Sequence, residues 1–327
     1  MKVLGINFSN DAAAAMVVDG QVVMAVQEER YARVKHFAGF PQTAMNACLR
    51  AGATSLDDVD AIAFFWNPAI NAQAPNWRQS SVPRHHMEYF YDLPNHILPR
   101  LSSPCVVTEQ VLHLQSGRRL PLYYVTHHLT HAAGALLASP HEEAAILTID
   151  GYGERDCAVI WRGSSHPTPR FERLWTQEFP HSLGAFYAAF TQFLGFKANS
   201  GEGKLMGLAS YGQPTYEAEM DRLLKLTPDG FELDLSYFLF FIERSTRYSP
   251  KLVALLGEPR APESALTQRH FDLAASCQLA LEKAVLHLCK LARDKTGLST
   301  LCMSGGVVLN CSANGRVVRS GLFKDYF

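Results

Sequence analysis

The chain has 327 residues, with 30 basic and 31 acidic side chains and a formal charge of −1. No global electrostatic pull toward nucleic acid or an anionic membrane is expected from that balance. Apolar residues make up 47% and charged residues 19%, as in a globular protein with enough length for two domains. No stretch approaches the ~18 apolar residues of a membrane span, and Val3-Leu4-Gly5-Ile6 before Asn7 is too short for a signal-peptide core. The seven cysteines are odd in number and never form CxxC, which points to a reduced, cytoplasmic setting with buried thiols. Cys277, Cys289, Cys302 and Cys311 follow no common metal-site spacing and read as structural.

From the N-terminus, Val3–Phe8, Ala12–Val18 and Val22–Val26 read as three strands, with Asn10-Asp11 as a polar break and Asp19-Gly20 as a hairpin turn. Glu28-Glu29-Arg30 through Lys35-His36 is dense in charge and runs into the loop Gly39-Phe40-Pro41. A helix over about Thr43–Ala51 and a buried strand over Ala61–Trp66 follow. The proline-rich section from about Asn67 to Pro121 reads as irregular. It carries Trp77, His85, His86, Tyr89, Phe90 and Tyr91, which suit a wall that selects a substrate.

The strongest chemical signal is His127-His128-Leu129-Thr130-His131. On a helix, His127 and His131 share a face with Gly134, Ala135 and Ala138, while Leu129, Ala132 and Leu136 point to a core. Asp150 ends the strand Ala144–Ile149, where side chains project into the usual ligand crevice of an α/β sheet. Two imidazoles and a carboxylate with open positions suit Fe(II), with Zn(II) as competitor. The pair lacks the glutamate that a zinc peptidase of the HExxH type places after its first histidine.

The layout then repeats. Asp150-Gly151-Tyr152-Gly153 is a second tight loop and Cys157–Trp161 a second strand, so an internally duplicated α/β protein is expected. Gly201–Gly212 places four glycines around Lys204, read as a loop whose amides and ammonium converge on an anion. Leu266–Lys295 is a long helix stopped by Gly297. The strand Thr300–Met303 then delivers Ser304-Gly305-Gly306, a means of bringing backbone against a nucleotide.

Taken together these blocks resemble the O-carbamoyltransferase family of nodulation-type, cephem and aminoglycoside enzymes, specifically its N-terminal transferase domain. The matching pieces are Val3–Asn7 with Asp11-Ala12-Ala13, Gln27–Arg30 with Lys35-His36, His127-His128 with His131, Leu147–Gly151, Gly203–Gly212 and Gly305–Asn310, in family order. The resemblance implies duplicated RNase H-like lobes of the actin/sugar-kinase type with a cleft between them. These would be a first lobe over 1–142 with an insert about 67–121, and a second over 143–327. It implies a reaction in which carbamoyl phosphate and ATP give carbamoyl-adenylate, whose carbamoyl group passes to a hydroxyl of a small-molecule acceptor, a natural product or sugar.

By the same resemblance His127, His131 and Asp150 hold the metal, and Asn10, Asp11 and Lys35 form the catalytic group, with Lys35 on the carbamoyl group. Gly151, Gly203, Lys204, Gly305, Gly306 and Asn310 contact the nucleotide. Asn10 stands where the family has a histidine able to take a proton. The resemblance further implies a C-terminal adenylate-forming domain, supplied in cis or in trans, so that this chain is expected to be incomplete alone. Two other readings share some features: a tRNA threonylcarbamoyl-transfer protein, disfavoured by the neutral charge, and a non-catalytic nucleotide- and metal-binding partner.

Overall fold

The computed structural model describes residues 1–9, 11–67, 107–243 and 245–327. They divide into two compact units, one holding the described residues up to Asn67 together with Val107–Thr130, the other His131–Phe327. Among the described residues no helix is long and apolar enough to cross a membrane.

The first unit begins with a meander of β1 (Lys2–Asn7), β2 (Ala13–Val18) and β3 (Gln21–Gln27). The turn from β2 to β3 has Asp19 at φ 49° and Gly20 at φ 81°, both positive as a two-residue turn of type I′ requires. The short helix α1 (Glu29–Ala32), the helix α2 (Gln42–Ala51), and strands β4 (Ala61–Phe64), β5 (Val107–His113) and β6 (Arg119–Val125) follow. The sheet order is β3-β2-β1-β4-β6-β5, with β1, β4 and β6 parallel. Alternation along β1 and β2 buries Leu4, Ala14 and Met16 against Ala44, Met45 and Cys48 of α2, and Ile62, Phe64, Leu120 and Leu122 complete this core.

The irregular section expected over Asn67–Pro121 is a hairpin in its described last part. Gly117, at φ 85°, turns the chain between β5 and β6, and Leu120 and Leu122 on either side of Pro121 are buried. Proline and glycine marked a loop, but the flanking leucines supply the burial that makes a strand. Trp77, His85, His86, Tyr89, Phe90 and Tyr91 lie outside the described residues, as does Asn10.

Helix α2 is capped from a distance. Pro41 at its N-cap position offers no side-chain acceptor, and Glu28 replaces one. Glu28 is 5% exposed and accepts from the backbone N–H groups of Thr43 at 3.1 Å and Ala44 at 2.7 Å. Burial raises the Glu28 carboxyl, but these donors outweigh burial and hold it below its usual range. Its contribution is therefore complete above the unfolded-state value and is lost as pH falls through the lowered folded value. Glu28→Gln is expected to cost about 1–2 kcal/mol at neutral pH. The gap to the wild type should close in acid, below about pH 4, as urea unfolding at both conditions would show.

The helix α3 (His127–Leu137) runs unbroken across the boundary between the units. In the second unit come β7 (Glu143–Ile149), β8 (Asp156–Ser164) and β9 (Arg170–Glu178), then helices α4 (Leu183–Phe193), α5 (Glu202–Ala209) and α6 (Glu217–Leu223). The small hairpin β10 (Leu224–Thr227) and β11 (Gly230–Leu233), helices α7 (Pro250–Leu256) and α8 (Gln268–Thr296), strand β12 (Thr300–Ser304), helix α9 (Cys311–Arg319) and strand β13 (Asp325–Tyr326) complete it. Its sheet order is β13-β12-β7-β8-β9, with β7, β12 and β13 parallel.

Reversed, that order matches the first five positions of the first sheet, which adds β5 at its edge. An antiparallel meander (β1–β3, β7–β9) is followed by a helix (α2, α8) and then by parallel strands added on the far side of its first strand (β4 and β6, β12 and β13). The internally duplicated α/β layout expected from the strand–loop–strand repeat is thus present in strand order and direction, as is the RNase H-like fold that the resemblance implied. Helix α8 buries Leu273, Cys277, Leu281, Ala284, Leu288 and Ala292 in the second core, with Phe186, Phe190 and Phe193 of α4. Gly297, at φ 69°, ends α8 in the left-handed conformation.

Candidate metal and nucleotide site

Adjacent parallel strands of the second sheet end together, Ser304 of β12 opposite Thr148 of β7. Asp150, just past β7, has its Oδ2 2.9 Å from His131 Nε2, while its Oδ1 accepts from the Gly151 N–H at 2.6 Å. His131 Nδ1 lies 3.3 Å from Ser304 Oγ. One imidazole is thus oriented from both nitrogens by two strand ends, and both it and Asp150 are about a quarter exposed, at 24% and 22%.

His127 stands one turn earlier on the same continuous helix, which by itself puts the two imidazoles on one face. His127, His131 and Asp150 each offer a ligand atom, all within 4.8 Å of one another. The opposite face of α3 buries Ala132 and Leu136 as expected. His128, between the two, is 1% exposed and belongs to the interior.

The backbone beside Asp150 is enclosed by glycines that admit no side chain. A Cβ on Gly305 would sit 2.2 Å from Ile149 O, one on Gly306 2.8 Å from Asp150 Oδ1, and one on Gly184 2.7 Å from Gly151 N. Gly305 has φ 112°, a value that side chains do not tolerate. Ser182 Oγ accepts from Ala185 N at 3.0 Å, capping α4, and donates to the Gly151 carbonyl. Ser182 and Gly184 escaped the sequence reading, and Ser304 was named there only as the start of the glycine turn. The signal for the first two was a serine immediately before an apolar helical run.

The chain matches the carbamoyltransferase N-terminus family over residues 2–327. It belongs to that family. Among relatives it is 42% identical to the uncharacterized protein sll1178 of Synechocystis, over 99% of this chain and 53% of that one. It is 33% identical to the nodulation protein NolNO of Sinorhizobium fredii, over 98% of this chain and 44% of that one. The chain thus spans about half the length of these relatives. Among solved structures it is similar to an activator of 2-hydroxyisocaproyl-CoA dehydratase from Clostridium difficile, at 13% identity and a TM-score of 0.49 over all of this chain and 88% of that one. That likeness is too distant to carry function.

In this carbamoyltransferase-family chain the remaining site residues fall in three places. Gly203 and Lys204 lie on α5, a helix rather than the expected anion loop, because Leu205, Leu208 and Ala209 are buried at helical spacing. Gly203 and Gly207 face open space, with no atom within 4 Å of an added Cβ. Met206 Sδ, on the same helix, lies 3.7 Å from Cys311 Sγ at the start of α9, so α5 meets the segment that follows Gly305 and Gly306.

Asn310 is buried and committed to the protein. Its Oδ1 accepts from Ala313 N at 3.0 Å, capping α9, and from Gln278 Nε2 at 2.9 Å, while its Nδ2 donates to Gln278 Oε1 at 2.9 Å. The Tyr187 hydroxyl donates to the same Gln278 oxygen at 2.7 Å. In the first unit Lys35 is exposed, and Asp11 pairs with His36. Cys277, Cys289 and Cys302 are buried, and no cysteine joins a metal-type group among the described residues.

Proposed function

We propose that this carbamoyltransferase-family chain passes a carbamoyl group from carbamoyl-adenylate to a hydroxyl of a small-molecule acceptor, a sugar or natural product. The adenylate would be made from ATP and carbamoyl phosphate by a further domain acting in cis or in trans. The observation that carries this reading is the convergence of His131, Asp150 and Ser304 on a stretch of backbone enclosed by glycines.

The donor set fits a divalent metal. Two imidazoles and one carboxylate offer ligand atoms within 4.8 Å of one another, and Ser304 fixes the ring of His131 from its far nitrogen. His127, His131 and Asp150 would hold the ion, Fe(II) in preference to Zn(II) for this ligand set. When bound it supplies Lewis acidity that offsets negative charge on the departing AMP.

The protein's own groups would do the rest. Gly151, Gly305 and Gly306 present bare backbone, so the nucleotide can approach without meeting a side chain. Asn310 would act on the adenosine side by holding the turn from Gly305 in place through its cap of α9, since its amide is already engaged. Gly203 and Lys204 would line the open face of α5 with an ammonium group for phosphate. Lys35 would hold the carbamoyl group, with Asp11 and Asn10 beside the attacking hydroxyl.

The test is to combine this chain with the adenylate-forming part of a full-length relative, ATP and radiolabelled carbamoyl phosphate, and follow label into polyol and aminosugar acceptors. Label in an O-carbamoyl product, lost in His131→Ala, supports the reading. ATP consumption with no carbamoylated acceptor contradicts it, and label that appears only on added tRNA would favour the threonylcarbamoyl-transfer alternative.

A further inference from the structure

Tyr187 of α4, Gln278 of α8 and Asn310 at the start of α9 are all buried in the second unit. They form one chain of hydrogen bonds whose direction is fixed. The Ala313 N–H can only donate, so the Asn310 atom that meets it at 3.0 Å is Oδ1. Gln278 faces Asn310 with its amide reversed, Nε2 donating to Oδ1 and Oε1 accepting from Nδ2, both at 2.9 Å. The second hydrogen on Gln278 Nε2 goes to Glu282 Oε1 at 2.9 Å, and Oε1 also accepts from the Tyr187 hydroxyl at 2.7 Å. Burial pushes the Tyr187 hydroxyl well above its ordinary value, so it stays a donor. Glu282 is held in turn by Arg316 of α9, at 3.0 Å.

A glutamine amide can donate two hydrogen bonds and accept two, and Gln278 makes all four inside the protein. None is left for a ligand. The ends of the chain show what it joins. Tyr187 stands one helical turn beyond Gly184, which lies against the backbone of Gly151, just after Asp150. Asn310 closes the turn that begins at Gly305 and Gly306, which lie against Ile149 O and the Asp150 carboxylate. Gln278 therefore ties together the two glycine segments that meet the chain around Asp150.

We infer that Gln278 is a positioning residue for the nucleotide, which sets the spacing between the start of α4 and the Gly305–Gly306 turn by joining Tyr187 to Asn310. This rests on the reading above, in which bare backbone at Gly151, Gly305 and Gly306 admits AMP. Gln278 does not touch the nucleotide. With the tie cut, the turn takes up other positions as well, and AMP binds only from the fraction that keeps the competent one. The measured Kd then rises by the inverse of that fraction.

The experiment measures AMP binding to the whole chain by calorimetry with Zn²⁺ present. Gln278→Met keeps the size of the side chain and removes all four bonds, and should weaken AMP by about 10–100-fold. Asn310→Ser keeps an oxygen to cap α9 but cannot reach across to Gln278 in the same way, and should give a loss of the same order. The double variant should bind no more weakly than the weaker single variant, because both changes cut one tie. Val285→Ala leaves a cavity in the same helix and core. It should lower the urea midpoint and leave AMP affinity at the wild-type value, which separates positioning from general stability. Should Gln278→Met not fold, Tyr187→Phe decides, since it removes one bond, keeps the ring and should weaken AMP by about 3–10-fold.

Wild-type AMP affinity in folded Gln278→Met or in Tyr187→Phe, a loss in Val285→Ala as large as in Gln278→Met, or additive losses in the double variant would overturn the assignment. Absence of AMP binding by the wild-type chain would instead overturn the nucleotide reading, and the assignment with it.

Discussion

Gly305→Ala is expected to destabilise the second unit by about 2–6 kcal/mol, combining backbone strain with overpacking. The new Cβ would lie 2.2 Å from Ile149 O and 2.8 Å from Ile149 C, both main-chain atoms of the strand that pairs with β12. Neither can turn aside as a flexible side chain would, so relief requires separating β7 from β12 at the point where Asp150 and Ser304 meet His131. Gly203→Ala is the matched control. No atom lies within 4 Å of its added Cβ and the position is helical, so alanine should stabilise by about 0.5–1 kcal/mol. Urea unfolding of the two variants beside the wild type measures the contrast. Equal stabilities would show that the close approach at Gly305 is not required.

Asp150→Asn is expected to lower affinity for a divalent metal by more than about 100-fold, and Ser304→Ala by about 10-fold, because the first removes a ligand and the second only its support. The distinction follows from the hydrogen bonds. Asp150 Oδ2 faces His131 Nε2, whereas Ser304 touches the ring from Nδ1. His131→Ala should match or exceed the aspartate variant, since it removes a ligand and the group that both strand ends hold. Titration of metal-free protein with Zn²⁺, followed by calorimetry, gives the three affinities. A serine variant as weak as the aspartate variant would mean that Ser304 acts as more than support.

The parts of the fold that could be read from sequence were those fixed by local pattern. The apolar run over Ala13–Val18, the Asp19-Gly20 turn and the apolar stripe of Leu273 to Leu288 each specify one element without outside help. The His127–His131 pair was legible for the same reason, since helical spacing alone places both rings on one face.

What could not be read depends on contacts between distant segments. Ser304 reaches His131 because β12 pairs with β7, and Gly184 meets Gly151 because α4 starts against the end of β7. At Gly201–Gly212 the composition favoured a loop, but burial of Leu205 and Leu208 in the second core decided for a helix. The pairing of Asp11 with His36 depends on two left-handed residues, a conformation that neither side chain announces.

His127, His131 and Asp150 are expected to bind one metal ion in a chain that also binds AMP. The most direct measurement is X-ray absorption of the Zn²⁺-loaded chain, with and without AMP, alongside metal content by mass spectrometry. The expected result is one ion per chain, nitrogen and oxygen neighbours with the multiple-scattering signature of two imidazoles, and loss of that signature in His131→Ala. Absence of bound metal from carefully loaded protein, or an unchanged spectrum in His131→Ala, would contradict it.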